Sequence, residues 1–378
     1  MTADARHFLT AFGIVSLLLV TLTGALVARV AAVGEVLSID EGAALRGTLF
    51  ADYAAYKREI TVRRKPELLV LGSSRVMAVR GQLFSECVAR GCFYNAGGGM
   101  PELKTGLTFF REIAAAGAAP RVLLLGVDFW DFNGRFSLVR DDVAEPVRRE
   151  GLDGLRYAVS VSYETAKRSL GDRAVRDLLV GASGVPPATA GIAALVNGSG
   201  FRPDGSYVYS RADMTKLSGS PGIDPVGYAT SAKRCGYHFE CFDRLDPRAI
   251  GYLEGLLALA ARHGTMVILW TPAMADEVAV ALREAQPAVL PEVERVVSAA
   301  AGRHGFPFVA VRSVAELGCA ADEIFDGLHP SEVCDARLVL RLLADAGAGA
   351  VLSRYTSAEH VRALIERRAS GLLLVGEP

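Results

Sequence analysis

Short apolar runs alternating with helical periods constrain this chain more than any other feature. "ELLVLG" (67–72) is apolar, short and closed by glycine. "CFYNAGGGM" (92–100) runs into a glycine-rich turn, and "RVLLLGVDFWDF" (121–132) again passes through glycine. "TMVILWTP" (265–272) is stopped by proline, and "FPFVAV" (306–311) follows a helical stretch. Runs of this length, bounded by turn residues, read as strands buried on both faces. Helical periods lie at 101–117, with Leu103, Leu107, Phe110 and Ile113 at helical spacing, and at 246–264, 291–305 and 331–347. Strands alternating with helices predict an α/β fold, a flavodoxin-like three-layer sandwich on a parallel sheet. In such sheets functional loops gather at the carboxyl ends of the strands.

The flanks carry other signals. Residues 8–28 hold no charged side chain, and about 20 apolar residues cross a bilayer as a helix. The expected organisation is a transmembrane anchor over 1–33, a membrane-proximal linker over 34–66 with a short helix in it, an α/β domain over 67–350 and a tail over 351–378. A cleaved signal peptide is the alternative to the anchor, although no clean small-x-small site follows Ala28. Arg6 on one side against Arg29 and Arg46 on the other leaves the orientation nearly tied. Alternation fades between about 133 and 245, which reads as an insertion, either a substrate-shaping cap or a structural excursion. Within it, "FRPDGSYVYS" predicts a hairpin around Asp204-Gly205. The tail's apolar "GLLLV" fits core packing or membrane contact.

With 41 basic against 42 acidic residues, the formal net charge is -1, so no basic excess points to nucleic acid. Six cysteines fall into local pairs: Cys87 with Cys92, Cys235 with Cys241, and Cys319 with Cys334. Close pairs predict disulfides and an oxidising compartment. Zinc is the competing reading, but the spacings are not C-x-x-C and no histidine pair accompanies them.

Ser73 and Ser74 follow the first strand directly, in "LLVLGSSRVM". A serine becomes a nucleophile only beside a general base that is itself held by a third group. His263 and His304 sit in matching helix-end contexts and read as caps. His7, His238 and His360 lie before the apolar stretch, in the insertion and in the tail. His329 remains, in "IFDGLHPSE", three residues after Asp326 with Gly327 between them. In one tight turn a carboxylate can hold one ring nitrogen while the other faces outward. A helix-capping turn with an incidental histidine is the structural alternative.

"VLGSSR", "YNAGG", "LGVDF" and "FDGLHP" occur in the order of the four blocks of the SGNH/GDSL hydrolase superfamily. The chain resembles that family over roughly 67–130 and 246–346. The resemblance implies Ser74 as nucleophile, Asp326 and His329 as acid and base, and Gly97, preceded by Asn95, as an oxyanion donor. It implies no metal and no organic cofactor. Asp128 stands where the family's third block carries an asparagine amide. Three explanations stay open: a neutral Asp128, sufficiency of the Ser74 and Gly97 amides, or lost activity. Arg75 is expected to bind an anionic substrate group or to form a surface ion pair. The anchor and insertion make the chain similar to membrane-anchored envelope members, the D-alanyl transfer protein of teichoic-acid modification and polysaccharide O-acetylation proteins. That implies an esterase or O-acyltransferase on an envelope glycan, held in the cytoplasmic membrane with its domain outside, and a membrane-bound O-acyltransferase as partner. A non-catalytic scaffold and a plain carboxylesterase are the rivals.

Overall fold

The computed structural model describes residues 10, 12–25, 53–135, 200–209, 224–370 and 372–374. Two compact units divide the chain: Met1–Asp52 with Arg148–Gly200, and Tyr53–Val147 with Phe201–Pro378. The second carries the sheet. Its strands are β1 (Leu68–Gly72), β2 (Phe93–Gly97), β3 (Val122–Gly126), β4 (Met266–Trp270) and β5 (Phe308–Val309). They lie in the order β2-β1-β3-β4-β5, and every pairing is parallel. This is the flavodoxin-like order, whose reversal between β1 and β3 opens a crevice at the carboxyl edge.

Burial explains why these runs pair in the middle. Leu68 to Leu71, Leu123 to Leu125 and Val267 to Leu269 are at most 1% exposed. Successive side chains point to opposite faces, so both faces of the sheet are covered. Each such aliphatic side chain contributes about 1.5–3 kcal/mol on leaving water. The covering helices are α1 (Tyr53–Arg64), α2 (Leu103–Ala115), α3 (Pro225–Lys233), α4 (Pro247–Arg262), α5 (Asp276–Ala285), α6 (Val289–Arg303), α7 (Glu332–Ala344), α8 (Ala346–Leu352) and α9 (Ala358–Glu366). Their ends follow local chemistry. The Asp246 side chain accepts from Arg248 N, Pro247 opens α4, and Ser331 accepts from Cys334 N at the start of α7. His263 and His304 cap α4 and α6 at their C-termini, as the sequence predicts.

Several boundaries differ from expectation. The short helix expected in the linker is α1, and Tyr56, Lys57, Ile60 and Thr61 on it are buried. It belongs to the packed unit because Lys57 Nζ donates to the carbonyls of Asn95 (2.8 Å) and Gly205. The tail packs as well: Val361, Ile365 and Leu374 are buried, and Leu374 N donates to Glu332. The predicted hairpin is present as strands Gly200–Phe201 and Tyr207–Val208. Of the span 133–245, expected as an insertion, the described parts contribute Phe201, Tyr228, Ala232, Phe239 and Phe242 as buried residues. Residues 136–199 and 210–223 of that span lie outside the described residues.

The expected transmembrane helix is not found. Among the described residues no helix is long and apolar enough to cross a membrane. Residues 12–25 are helical; the rest of 1–33, apart from residue 10, lies outside the described residues.

Two glycines bring the Ser74 turn down onto the sheet. A Cβ at Gly72 would lie 2.8 Å from Val76 Cγ2, and one at Gly126 would lie 2.5 Å from Val76 Cγ1. The turn after β1 therefore seats Val76 over the ends of β1 and β3 only because both ends lack side chains. Gly126→Ala is expected to destabilise the protein by about 1–3 kcal/mol through overpacking, read as a lowered midpoint in denaturant unfolding.

Candidate active site

The site lies at the carboxyl ends of β1 and β3 and in the loop before α7. Ser74 opens a 3₁₀ turn, Ser74–Val76, capped by Ser73, whose hydroxyl accepts from Arg75 N at 3.3 Å. Ser74 is exposed while its neighbours Ser73 and Arg75 are buried. Its Oγ stands 2.9 Å from His329 Nε2. His329 Nδ1 stands 2.8 Å from Asp326 Oδ2. The acid thereby fixes the ring proton on Nδ1 and leaves Nε2 to accept from the serine.

Asp326 is 1% exposed. Burial raises its pKa, but the His329 charge and hydrogen bonds from the His329 ring and from the Leu328 and His329 amides more than offset this, leaving it below the ordinary value. Those amides reach Asp326 Oδ1 at 2.7 and 2.8 Å. Phe325 N donates to His329 O at 2.9 Å and closes the loop. Gly327 is needed for a reason other than turn geometry. A Cβ there would lie 2.6 Å from Tyr228 Cδ2, so α3 presses on the loop at that point. The Cys319–Cys334 disulfide brackets the same loop; Cys87–Cys92 and Cys235–Cys241 are the other bonds, the pairing the spacing predicts, and no cysteine is free.

Arg75 is neither a substrate ligand nor a surface ion pair. It is 3% exposed, and its guanidinium is consumed by the protein. Nη1 donates to Asp128 Oδ1 at 2.6 Å. Nη2 donates to the Pro272 and Ala273 carbonyls, both at 2.6 Å, and Nε to the Leu328 carbonyl at 2.9 Å. Asp128 is thus turned into an ion pair and away from an oxyanion. Burial, followed by the Asp128 charge, pushes the Asp131 carboxyl well above the usual range, while Asp128 pairs with Arg75.

Asn95 and Gly97 are also committed inward. Asn95 Nδ2 donates to the Val76 (2.9 Å), Met77 (3.3 Å) and Val79 (2.7 Å) carbonyls, and Gly97 N donates to Asn95 Oδ1 at 2.6 Å. Together they brace the chain after Ser74, and the Gly97 amide is not open to an oxyanion. The Ser74 N–H makes no hydrogen bond among the described residues, so it is the one expected donor left open.

Two further groups stand near the triad. The Tyr209 ring lies 4.5 Å from Phe325 and 6.2 Å from His329, centre to centre. His238, inside the Cys235–Cys241 loop, stacks on Trp130 at 5.0 Å. Burial is the main cause that lowers its pKa to about 4; Asp128 opposes the shift, and His329 and Arg75 add to it. The sequence offered one pointer to His238, its bracketing by two cysteines. Among the described residues no cluster of three or more His, Cys, Asp or Glu side chains could hold a metal ion.

No protein-family model, curated protein or solved structure matches this chain.

Two outcomes are expected. Arg75→Met leaves Asp128 buried and unpaired, which costs about 3–5 kcal/mol of stability in denaturant unfolding, and Arg75→Met/Asp128→Leu restores part of it. For His238 the folded pKa is depressed, to about 4. As pH falls through ~6.5 the unfolded chain takes up a proton that the fold refuses until about pH 4, so stability is lost across that window. His238→Gln is expected to flatten the fall of Tm over that range relative to wild type.

Proposed function

We propose that the chain is a serine ester hydrolase or O-acyltransferase of SGNH type, acting on acyl or acetyl esters of a cell-envelope glycan. The observation that carries the reading is the Ser74–His329–Asp326 relay, with contacts of 2.9 and 2.8 Å. Ser74 Oγ attacks the ester carbonyl as its proton passes to His329 Nε2. The tetrahedral intermediate collapses to an acyl-serine, and the leaving alkoxide takes the proton from His329. Water or a glycan hydroxyl then gives its proton to His329 and attacks the acyl carbon, and Ser74 recovers its hydrogen. The four motif blocks in family order support the same assignment. Tyr209 beside His329 offers a flat apolar face to a sugar ring.

The place of action is part of the proposal. Three disulfides fit an oxidising, extracytoplasmic compartment. Eight large apolar side chains between Phe12 and Leu22 are at least 54% exposed, as suits a segment held in the cytoplasmic membrane or against a membrane-bound O-acyltransferase.

A second reading, a scaffold of an envelope polysaccharide complex with weak or no catalysis, is favoured by the engaged Gly97 amide and Asp128 carboxylate. One missing oxyanion donor lowers turnover by ~10²–10³-fold.

Labelling by a serine-directed phosphonate separates them. Ser74→Ala is expected to abolish labelling, and Asp326→Asn to slow it by about 10²–10⁴-fold. Undiminished labelling of Ser74→Ala sinks the enzyme; unchanged glycan acylation in cells carrying Ser74→Ala, with loss on deletion, establishes the scaffold.

A further inference from the structure

A cavity of about 470 Å³ opens at the amino-terminal edge of the sheet, the edge opposite the Ser74 site. Its walls come from the residues that enter β1, β3 and β4, from the Cys87–Cys92 loop and from the end of α8. Arg90, Arg121 and Arg354 face it, together with Glu67 and Tyr355. Glu67 is already paired with Arg90. Arg121 and Arg354 make no side-chain hydrogen bond or ion pair among the described residues. Three guanidinium groups against one carboxylate leave the cavity with two uncompensated positive charges.

The two arginines are carried by ordered backbone. Arg121 O accepts from Met266 N at 2.9 Å where β3 and β4 begin, and Arg354 N donates to Val351 O at 3.4 Å. Tyr355 is 6% exposed. Burial, then the Glu67 charge, raises its pKa, so the phenol remains a donor. Val122 and Val351 supply apolar wall. Small-molecule sites occupy roughly 300–1,000 Å³ and combine apolar walls with a few convergent polar groups. Guanidinium forks suit phosphate oxygens in number and geometry.

We propose that this cavity is a binding site for a small organic phosphate dianion, with Arg121 and Arg354 on the phosphate and the apolar wall against its carbon skeleton. The dianion matches the uncompensated charge, and the volume exceeds what a bare phosphate fills. The site is independent of the reaction proposed for Ser74, since the two stand at opposite edges of the sheet.

The test is calorimetric titration of the full chain with ribose 5-phosphate, with ribose and inorganic phosphate as separate probes at matched ionic strength. Ribose 5-phosphate is expected to bind one to one and ribose not at all. Arg121→Gln/Arg354→Gln is expected to weaken binding at least ~10-fold per arginine, since a hydrogen bond to a charged group contributes about 1.5–3 kcal/mol. Each single variant should show an intermediate loss, and an unchanged denaturant-unfolding midpoint reports that the variants remain folded. Ser74→Ala should bind like wild type, so loss of the catalytic reading leaves this one standing. No saturable binding to wild type, equal binding to the double variant, or inorganic phosphate binding as tightly as the sugar phosphate overturns the proposal.

Discussion

Everything at the carboxyl edge of the sheet depends on where Arg75 puts its guanidinium. Asp128, Pro272, Ala273 and Leu328 reach it from three separate segments after β3, after β4 and before α7. No pair of those segments is close in sequence, so no local preference aligns them. A buried ion pair alone is weak evidence of stability, because desolvation offsets attraction. Here the cation also satisfies three backbone carbonyls, and its Cζ lies 5.1 Å from the centre of the Trp130 ring. The residue after Ser74 thus holds the carbonyl of the residue before His329. Ser74 and His329 are brought to 2.9 Å by buried neighbours on either side of them.

The turn that Arg75 belongs to is shaped from below by absence and from the side by an amide. Gly72 and Gly126 lack side chains where Val76 descends, and Asn95 takes the carbonyls of Val76, Met77 and Val79. Asn95 then receives the Gly97 amide on its free oxygen. One buried side chain therefore satisfies four backbone groups. The same economy removes Gly97 from the oxyanion site, so rigidity behind Ser74 is obtained at the expense of electrostatic help in front of it.

This division between local and distant contacts explains what could be read in advance. The five strands were legible because glycine, proline or a polar turn closes each apolar run. Asp326 and His329 were legible because three residues separate them and the loop closes on itself. Disulfide pairing was legible for the same reason. The role of Arg75 was not, since its acceptors lie 53, 197, 198 and 253 positions away. Asp128 read as an oxyanion residue out of place because its sequence neighbours say nothing of an arginine two strands of chain earlier. Gly327 read as a turn glycine, whereas the constraint is the Tyr228 ring pressing from α3. His238 was set aside because only packing on Trp130 brings it toward the triad.

The loop from Cys319 to Cys334 shows how compartment and chemistry join in this fold. The turn after β1 holds Ser74, but Asp326 and His329 sit on irregular chain with one isolated bridge, Ile324 to Pro330. Irregular chain is costly to order, at roughly 1–2 kcal/mol per residue for the backbone. The disulfide spans a separation of 15 residues, and closing a loop of that length removes on the order of 3 kcal/mol of unfolded-state entropy. Arg337 adds a second fastening on Glu323 from α7, at 2.8 and 3.1 Å. The loop carrying Asp326 and His329 is therefore closed by a covalent bond that persists only where thiols oxidise. A reducing compartment would loosen the loop that the sheet does not support.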